Sequence, residues 1–165
     1  MGALPVIALR PAAGADIEYL RRALYEAVAW NPERELPPYE LVIAHPELAR
    51  YHEGWSRDGD IGVIAEANGD VVGASLCRLF AADDHGHGYV DDETPELAVA
   101  VWEGRRGEGI GTKLMDALEE AARAAGFSRL SLSVDAGNPA RRLYERLGYR
   151  ELSVDADGVR MMKEL

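Results

Sequence analysis

One stretch of the sequence, residues 105–112, constrains the fold more than any other. It reads RRGEGIGT, follows an apolar run at 97–102 and precedes a segment, 110–125, whose apolar residues recur at helical spacing. Glycine at every second position allows a tight turn and a close approach of the backbone to a ligand. The N–H groups that begin a helix are unpaired and lie at the positive end of its dipole. The stretch therefore predicts an anion-binding turn between a strand and a helix.

The two arginines of this stretch indicate what kind of anion is bound. Arg105 and Arg106 supply fixed positive charge suited to bidentate phosphate contacts. A P-loop needs Lys directly after its last Gly, and a dinucleotide fingerprint needs G-x-G-x-x-G, whereas this chain has Gly111-Thr112-Lys113 and G-x-G-x-G. A phosphorylated ligand outside these two classes is predicted, and a plain glycine-rich turn is the alternative.

Length and composition predict one domain, residues 1–165, with a full-sized core. Hydrophobic residues make up 47% of the 165-residue chain and charged residues 28%, as in ordinary globular proteins. The 18 basic and 29 acidic side chains give a net charge of −11, which disfavours nucleic acid and anionic membranes as partners and favours a cationic amine. The single cysteine, Cys77, has apolar neighbours and is expected to be a buried thiol. With no signal-peptide pattern and no apolar run of 18 residues, we expect a soluble cytoplasmic protein.

Hydrophobic periodicity and turn residues predict alternating strands and helices. The first half is predicted to form a strand at 5–9 ended by Arg10-Pro11, a helix at 13–29, and two short helices within 39–55 separated at Pro46. Strands at 61–67 and 71–80, joined by an Asn68-Gly69 turn, and a strand at 95–102 follow. The second half is predicted to form the helix at 110–125, a strand at 130–134, a short helix from Pro139 to Gly148, and a closing hairpin at 149–154 and 159–163. This order is typical of an α/β domain with one mixed sheet flanked by helices. His85 and His87 lie in the polar segment 81–94, where a flexible H-x-H pattern does not predict a metal site.

The strand at 95–102 carries a carboxylate on a face with small side chains. Strand alternation places Leu97, Val99 and Val101 on one face. The other face carries Glu96, Ala98, Ala100 and Trp102. This arrangement leaves room for a ligand beside Glu96, although a β-bulge would shift the register.

A second motif gives the glycine turn a family context. Residues 138–149, NPARRLYERLGY, resemble the Asn, Ala, Leu-Tyr, Leu-Gly-Phe/Tyr segment of the GNAT superfamily of acyl-CoA-dependent N-acyltransferases, and RGEGIG resembles its Arg/Gln-x-x-Gly-x-Gly/Ala pyrophosphate loop. The resemblance covers the whole chain and is strongest over 96–149. Two departures stand out. Glu103 replaces a common proline before the loop, which is expected to bring a carboxylate near the glycine turn. The spacing from Asn138 to Tyr144 is one residue short of the commonest form, which would shift Asn138 relative to the ligand.

The resemblance implies a fold and a cosubstrate. The implied fold is a mixed, mostly antiparallel sheet of about seven strands flanked by helices. This sheet would be splayed between its fourth and fifth strands, at 95–102 and 130–134, with acetyl-CoA in the gap. The residues implied or predicted to bind the coenzyme are Val99, Val101, Arg105, Arg106, Gly107, Gly109, Ile110, Gly111, Thr112 and Asn138.

The implied function is direct transfer of an acetyl group from acetyl-CoA to a primary amine of a small molecule or peptide. That chemistry needs a base for the amine, an oxyanion contact and a proton for the thiolate. A partly buried Glu96 is the candidate base, with a structural strand carboxylate as the alternative. The backbone N–H near Val99 is the candidate oxyanion contact. The family places a tyrosine beside the thioester sulfur, so Tyr144 is the candidate acid, with a packed core tyrosine as the alternative.

The acceptor pocket is expected to come from the first helical region and the acidic segment. The residues expected to shape it are Trp30, Asn31, Tyr39, Tyr51, Trp55, Asp83, Asp84, Asp91, Asp92 and Glu93. A non-catalytic acyl-CoA-binding regulatory domain is the rival interpretation, and the presence of both Glu96 and Tyr144 favours the enzyme. The resemblance also leaves a homodimer open.

Overall fold

The computed structural model describes residues 6–165 and contains one seven-stranded sheet with helices on both faces. The strands are β1 Ile7–Pro11, β2 Ile61–Ala67, β3 Asp70–Arg78, β4 Glu96–Val101, β5 Arg129–Val134, β6 Arg150–Asp155 and β7 Gly158–Glu164. The helices are α1 Ile17–Val28, α2 Tyr39–Ala44, α3 Pro46–Ala49, α4 Ile110–Ala124 and α5 Ala140–Arg146, with a 3-10 turn at Gly14–Asp16. Every helix and strand predicted from the sequence is present, with small shifts of its ends.

The first strand is the clearest of these shifts. The prediction began at Pro5, which lies outside the described residues, and ended the strand at Arg10-Pro11. The observed β1 instead continues through Arg10 and Pro11, and Pro11 is paired in register with Val63. Proline is tolerated there because β1 is an edge strand with β2 as its one neighbour, so the missing N–H leaves no second strand unpaired.

The sheet is mixed and opens between β4 and β5. The strand order is β1-β2-β3-β4-β5-β7-β6, and β4 with β5 is the parallel pair. Their pairing consists of one register pair, Glu96 with Ser131, supported by a 3.0 Å bond from Ser131 N–H to Pro95 O. The expected splay between the fourth and fifth strands is thus confirmed.

Two core layers cover the two faces of the sheet. Val99 and Val101 pack with the α4 layer, while Ala98, Ala100 and Trp102 pack with the α1 layer. Pairing of β3 with β4 is regular along the whole strand, so the predicted alternation holds without a bulge. Ala125, the last apolar residue of the helix predicted at 110–125, is exposed because it follows the last helical turn, whereas Met115 and Glu119 within α4 are buried.

Cys77 lies inside the core, as expected for a structural thiol. It is fully buried, and burial raises its pKa to about 12, which keeps the sulfur protonated. None of the helices in residues 6–165 combines the length and the apolar character needed to cross a bilayer.

A buried arginine joins the sheet to the segment after α3. Arg78 at the end of β3 is 1% exposed and makes a bidentate ion pair with Asp60, at 2.9 and 2.7 Å. Its Nη1 also donates to the carbonyl oxygens of Arg50, at 2.8 Å, and Glu53, at 2.7 Å. These bonds satisfy the guanidinium and fix the chain between Arg50 and Glu53 against the sheet.

We predict that Asp60→Ala lowers the free energy of unfolding by about 3–5 kcal/mol, because it leaves the Arg78 charge buried without its partner. The control is Glu164→Ala, which removes a surface pair with Arg150 whose side chains are 65% and 75% exposed. That control should change stability by less than about 1 kcal/mol. Urea denaturation measures both variants, and equal losses would contradict the structural importance of Arg78.

Candidate active site

The divergence of β4 from β5 opens a cleft of about 1210 Å³. Its walls come from both strands, the glycine turn, α5 and the chain between α1 and α3. All of the predicted catalytic and coenzyme-binding residues line it: Glu96, Val99, Val101, Arg105, Arg106, Gly107, Gly109, Ile110, Gly111, Thr112, Asn138 and Tyr144. Residues from three stretches of the sequence, 96–101, 105–112 and 138–144, therefore meet in one place.

The backbone of β4 presents polar groups to the cleft. Trp102 N–H donates to Val72 O at 2.8 Å, in register with the β3–β4 ladder. Because hydrogen-bonded and non-hydrogen-bonded pairs alternate in an antiparallel ladder, the N–H and C=O groups of Val99 and Val101 point away from β3 and toward β5. Arg106 Nε donates to Val101 O at 3.4 Å, and the other groups can pair with an extended ligand lying in the gap.

The glycine turn leads directly into α4. Gly107 and Gly109 have φ of 84° and 79°, a region that favours glycine, and an added Cβ would meet no atom within 4 Å at either position. Glycine is required there for its backbone conformation. The first backbone bond of the helix is from Lys113 N–H to Gly109 O, and α4 has no side-chain cap. Its first N–H groups are thus available to an anion.

The arginines lie at the entrance of the turn. Arg105 Nε is 3.0 Å from Glu108, and its buried Nη2 has no partner among residues 6–165. Arg106 is 52% exposed, with Nη2 3.8 Å from Glu26 of α1. Glu103, expected from the sequence to bring a carboxylate near the turn, is exposed and does not line the cleft. The carboxylates beside these arginines are therefore those of Glu26 and Glu108.

Asn138 has a local structural role that the sequence did not predict. Its Oδ1 accepts a 2.9 Å bond from Ala140 N–H, so the side chain caps the start of α5. The amide NH₂ is the part left for a ligand. Packing of α5 on α4 is also close here, since a Cβ on Gly111 would lie 3.3 Å from Leu143 Cδ2.

Tyr144 enters the cleft from α5 and is 7% exposed. Burial raises its pKa to about 12, so the hydroxyl keeps its proton at neutral pH. Its ring packs edge-on against Tyr149, with centroids 6.1 Å apart. Tyr149 in turn donates to Glu119 at 3.0 Å, and Lys163 lies 2.6 Å from the same carboxylate. These two contacts with Glu119 hold in place the Tyr149 ring, which packs against Tyr144.

Glu96 enters from β4 and is 2% exposed, deeper than the partly buried position expected from the sequence. Its Oε2 accepts a hydrogen bond from Tyr51, while Oε1 is buried and finds no partner in the described chain. Burial raises the pKa of this carboxyl to about 8, against smaller opposing effects of the Gly88 N–H, Arg50 and Arg160. The group is thus close to half-ionised at mildly basic pH.

Most of the residues predicted to shape the acceptor pocket do not line the cleft. Of the five predicted side chains from the helical region, Trp30 and Tyr51 line the cleft; Asn31, Tyr39 and Trp55 do not. The predicted acidic residues Asp83, Asp84, Asp91, Asp92 and Glu93 are also absent from its walls. Several of them hold the segment to the protein instead, since Asp84 lies 3.4 Å from Arg50 and Asp91 2.9 Å from Arg129.

Other carboxylates take their place at the rim. His87 lies 3.7 Å from Glu47 of α3 and 3.5 Å from Asp157 of the β6–β7 turn, and all three side chains line the cleft. Trp30 also donates from Nε1 to Asp135 at 2.6 Å, which links the end of α1 to the end of β5. These contacts join segments far apart in sequence, and no local pattern signals them. Within residues 6–165 no group of three or more His, Cys, Asp and Glu side chains is arranged to hold a metal ion.

Comparison with known proteins gives a consistent result. The model of the acetyltransferase (GNAT) family matches residues 22–149. The uncharacterised N-acetyltransferase YycN of Bacillus subtilis is 44% identical over 55 residues, 33% of this chain and 35% of that protein. The L-methionine sulfoximine/L-methionine sulfone acetyltransferase of Pseudomonas paraeruginosa is 40% identical over 102 residues, 61% of this chain and 54% of that protein. The matches thus span only about a third to a half of these curated relatives.

A solved structure extends the similarity to nearly the whole fold. The PaiA N-acetyltransferase of Thermoplasma acidophilum, solved in complex with coenzyme A, superimposes with a TM-score of 0.70 at 17% identity. The superposition covers 97% of this chain and 99% of that one. At this level of identity the likeness shows the fold.

The buried Glu96 makes stability depend on pH in a predictable direction. Its pKa is about 8 in the folded protein against 4.5 for an unperturbed group, so between these values the folded state holds a proton that the unfolded state has lost. The wild-type protein should lose stability relative to Glu96→Gln as pH rises from 4.5 to 8, by up to about 1.4 kcal/mol per pH unit. Urea denaturation across this range measures the difference. The exposed Glu18→Gln is the control, and parallel curves for wild type and Glu96→Gln would contradict the buried-acid assignment.

Proposed function

The chain belongs to the GNAT acetyltransferase family, and we propose that it transfers the acetyl group of acetyl-CoA directly to a primary amine of a small molecule or peptide. Acetyl-CoA is the cosubstrate of this family. The observation that carries the proposal is that the glycine turn, the polar edge of β4, Glu96 and Tyr144 all line one cleft. A binding domain would need the first two features, whereas a transferase also needs a proton acceptor and a proton donor.

The part of the cleft that runs from the glycine turn along β4 is proposed to bind the coenzyme. The N–H groups at the start of α4, with Arg105 and Arg106, hold the pyrophosphate, while Val99 and Val101 pair with the extended arm through their backbone. Bound acetyl-CoA supplies the thioester that the amine attacks. The N–H of Val99 is the proposed contact for the developing oxyanion.

The proposed proton acceptor and donor lie on different walls. Glu96 on β4 has one oxygen without a partner among residues 6–165 and a pKa of about 8, so it can take a proton from the amine near neutral pH. Tyr144 on α5 keeps its proton, because burial raises its pKa to about 12, and is proposed to donate to the departing thiolate.

The proposed acceptor is a cationic amine, since Glu47 and Asp157 flank the rim and the chain carries a net charge of −11. One relative is named for two amino-acid derivatives, so α-amino acids belong in the test panel beside polyamines, aminoglycosides and peptide amines. Neither nucleic acid nor a membrane surface is a proposed partner. A cytoplasmic location and a homodimer complete the proposal.

The coenzyme site can be tested with Arg106→Ala. Loss of a charge-assisted phosphate contact should weaken coenzyme A binding about tenfold and raise the KM for acetyl-CoA similarly. Isothermal titration calorimetry with coenzyme A measures the affinity, and Arg123→Ala, at the other end of α4, is the matched control that should bind like wild type. Failure of the wild-type protein to bind coenzyme A would refute the proposed function.

The acid can be tested with Tyr144→Phe. We expect kcat to fall about 100-fold while coenzyme A affinity stays within about twofold, because only the donated proton is lost. Thiol release from acetyl-CoA over the amine panel gives the rate. Tyr149→Phe removes a neighbouring hydroxyl and should lower stability, since it donates to Glu119, without a comparable loss of kcat. A wild-type kcat for Tyr144→Phe would rule out the acid role.

A further inference from the structure

Tyr51 reaches Glu96 from a different layer of the protein. It lies just after α3, on the chain that Arg78 fixes through the carbonyl oxygens of Arg50 and Glu53. Its ring packs edge-on against Phe80, with centroids 5.2 Å apart. From this position its hydroxyl donates to Glu96 Oε2. The ring and the backbone on both sides of Tyr51 are therefore held before any substrate binds.

Two glycines cover the same carboxyl. A Cβ on Gly86 would lie 2.6 Å from Glu96 Oε2 and 2.7 Å from Oε1, and a Cβ on Gly88 would lie 2.9 Å from Glu96 Cδ and 2.7 Å from the carbonyl carbon of Leu132. Neither glycine has a left-handed φ, so the requirement is for space. Arg50 donates to His85 O and so ties this cover to the chain that carries Tyr51. Tyr51 and the glycine cover thus enclose Glu96 together.

The two oxygens of Glu96 lie under the same cover but differ in their hydrogen bonds. Oε2 is occupied by Tyr51, whereas Oε1 has no partner within residues 6–165, and the residue lines the cleft. A general base needs a free lone pair toward its substrate and a fixed orientation. We propose that Tyr51 is a positioning residue that holds Oε2 and so leaves Oε1 to receive the proton of the acceptor amine.

The proposed step is a single proton transfer and rests on the proposed function. The N–H bond of the substrate ammonium breaks, its electron pair stays on nitrogen, and the proton forms an O–H bond with Oε1. Water takes up this proton after the product leaves. Tyr51 keeps its own proton throughout and acts by stabilising the ionised form of Glu96.

Other ionisable side chains lie near this carboxyl on the neighbouring elements. Arg50 comes from the chain after α3 and Arg160 from β7, and both favour the ionised form. His85 and His87 flank Gly86 in the cover. All four are unchanged in a Tyr51→Phe variant, so a difference from wild type reports the lost hydroxyl.

The test compares pH profiles of kcat/KM for wild type, Tyr51→Phe and Glu96→Gln, with acetyl-CoA and one amine accepted by the wild-type enzyme. Because the hydroxyl stabilises the carboxylate, its loss should raise the apparent pKa of the rising limb by about one unit. Activity at pH 7 should then fall about tenfold and recover toward the wild-type value at high pH. Tyr25→Phe, a half-buried tyrosine of α1 outside the cleft, is the matched control and should keep the wild-type limb.

The outcomes separate this inference from the proposed function. If the rising limb of the kcat/KM profile does not shift in Tyr51→Phe, or if this variant loses activity equally at every pH, the positioning role is overturned. The base assignment would still stand if the kcat/KM profile of Glu96→Gln is flat. A rising limb retained in Glu96→Gln would remove Glu96 as base and the inference with it. Carbon-13 NMR titration of the Glu96 carboxyl, assigned with Glu96→Gln, supplies a readout independent of turnover, and the same upward shift is expected in Tyr51→Phe.

Discussion

The site depends on one constraint, the limited hydrogen bonding between two parallel strands. β4 and β5 share the register pair Glu96 with Ser131 and then diverge. The separation turns the polar edge of β4 at Val99 and Val101 toward a cleft and brings the start of α4 to one end of it. Parallel strands buried between helices normally satisfy these groups with each other, so a gap here places a binding surface inside the sheet itself.

A second constraint, the buried Arg78, links stability to the geometry of the cleft. The guanidinium is desolvated at a cost that the bidentate contact with Asp60 and two carbonyl bonds offset. A hydrophobic residue could fill the same space, but it could not hold the backbone on both sides of Tyr51. The Arg78 guanidinium therefore fixes the segment 50–53 relative to the sheet, and that segment carries Tyr51, which contacts Glu96.

The parts of the site that follow from local geometry could be predicted from the sequence. Strand alternation gave the face of Glu96, and glycine spacing with a following helix gave the anion-binding turn, because both depend on residues close in sequence. The contacts of Trp30 with Asp135 and of Tyr51 with Glu96 could not be predicted, since they join segments 105 and 45 residues apart. The acidic segment was misassigned for the same reason: Asp84 and Asp91 lie against Arg50 and Arg129, pairings that spacing does not reveal.

Burial, finally, acts on the two proposed catalytic groups in the same sense but with opposite chemical results. Removal from water raises the pKa of Glu96 to about 8 and that of Tyr144 to about 12. For a carboxyl this shift creates a proton acceptor of useful strength near neutral pH, whereas for a phenol it preserves a donor. The same cleft can therefore supply both a base and an acid, provided that the two groups stand on separate walls. They do so, because Glu96 belongs to β4 and Tyr144 to α5, and both side chains line the cleft.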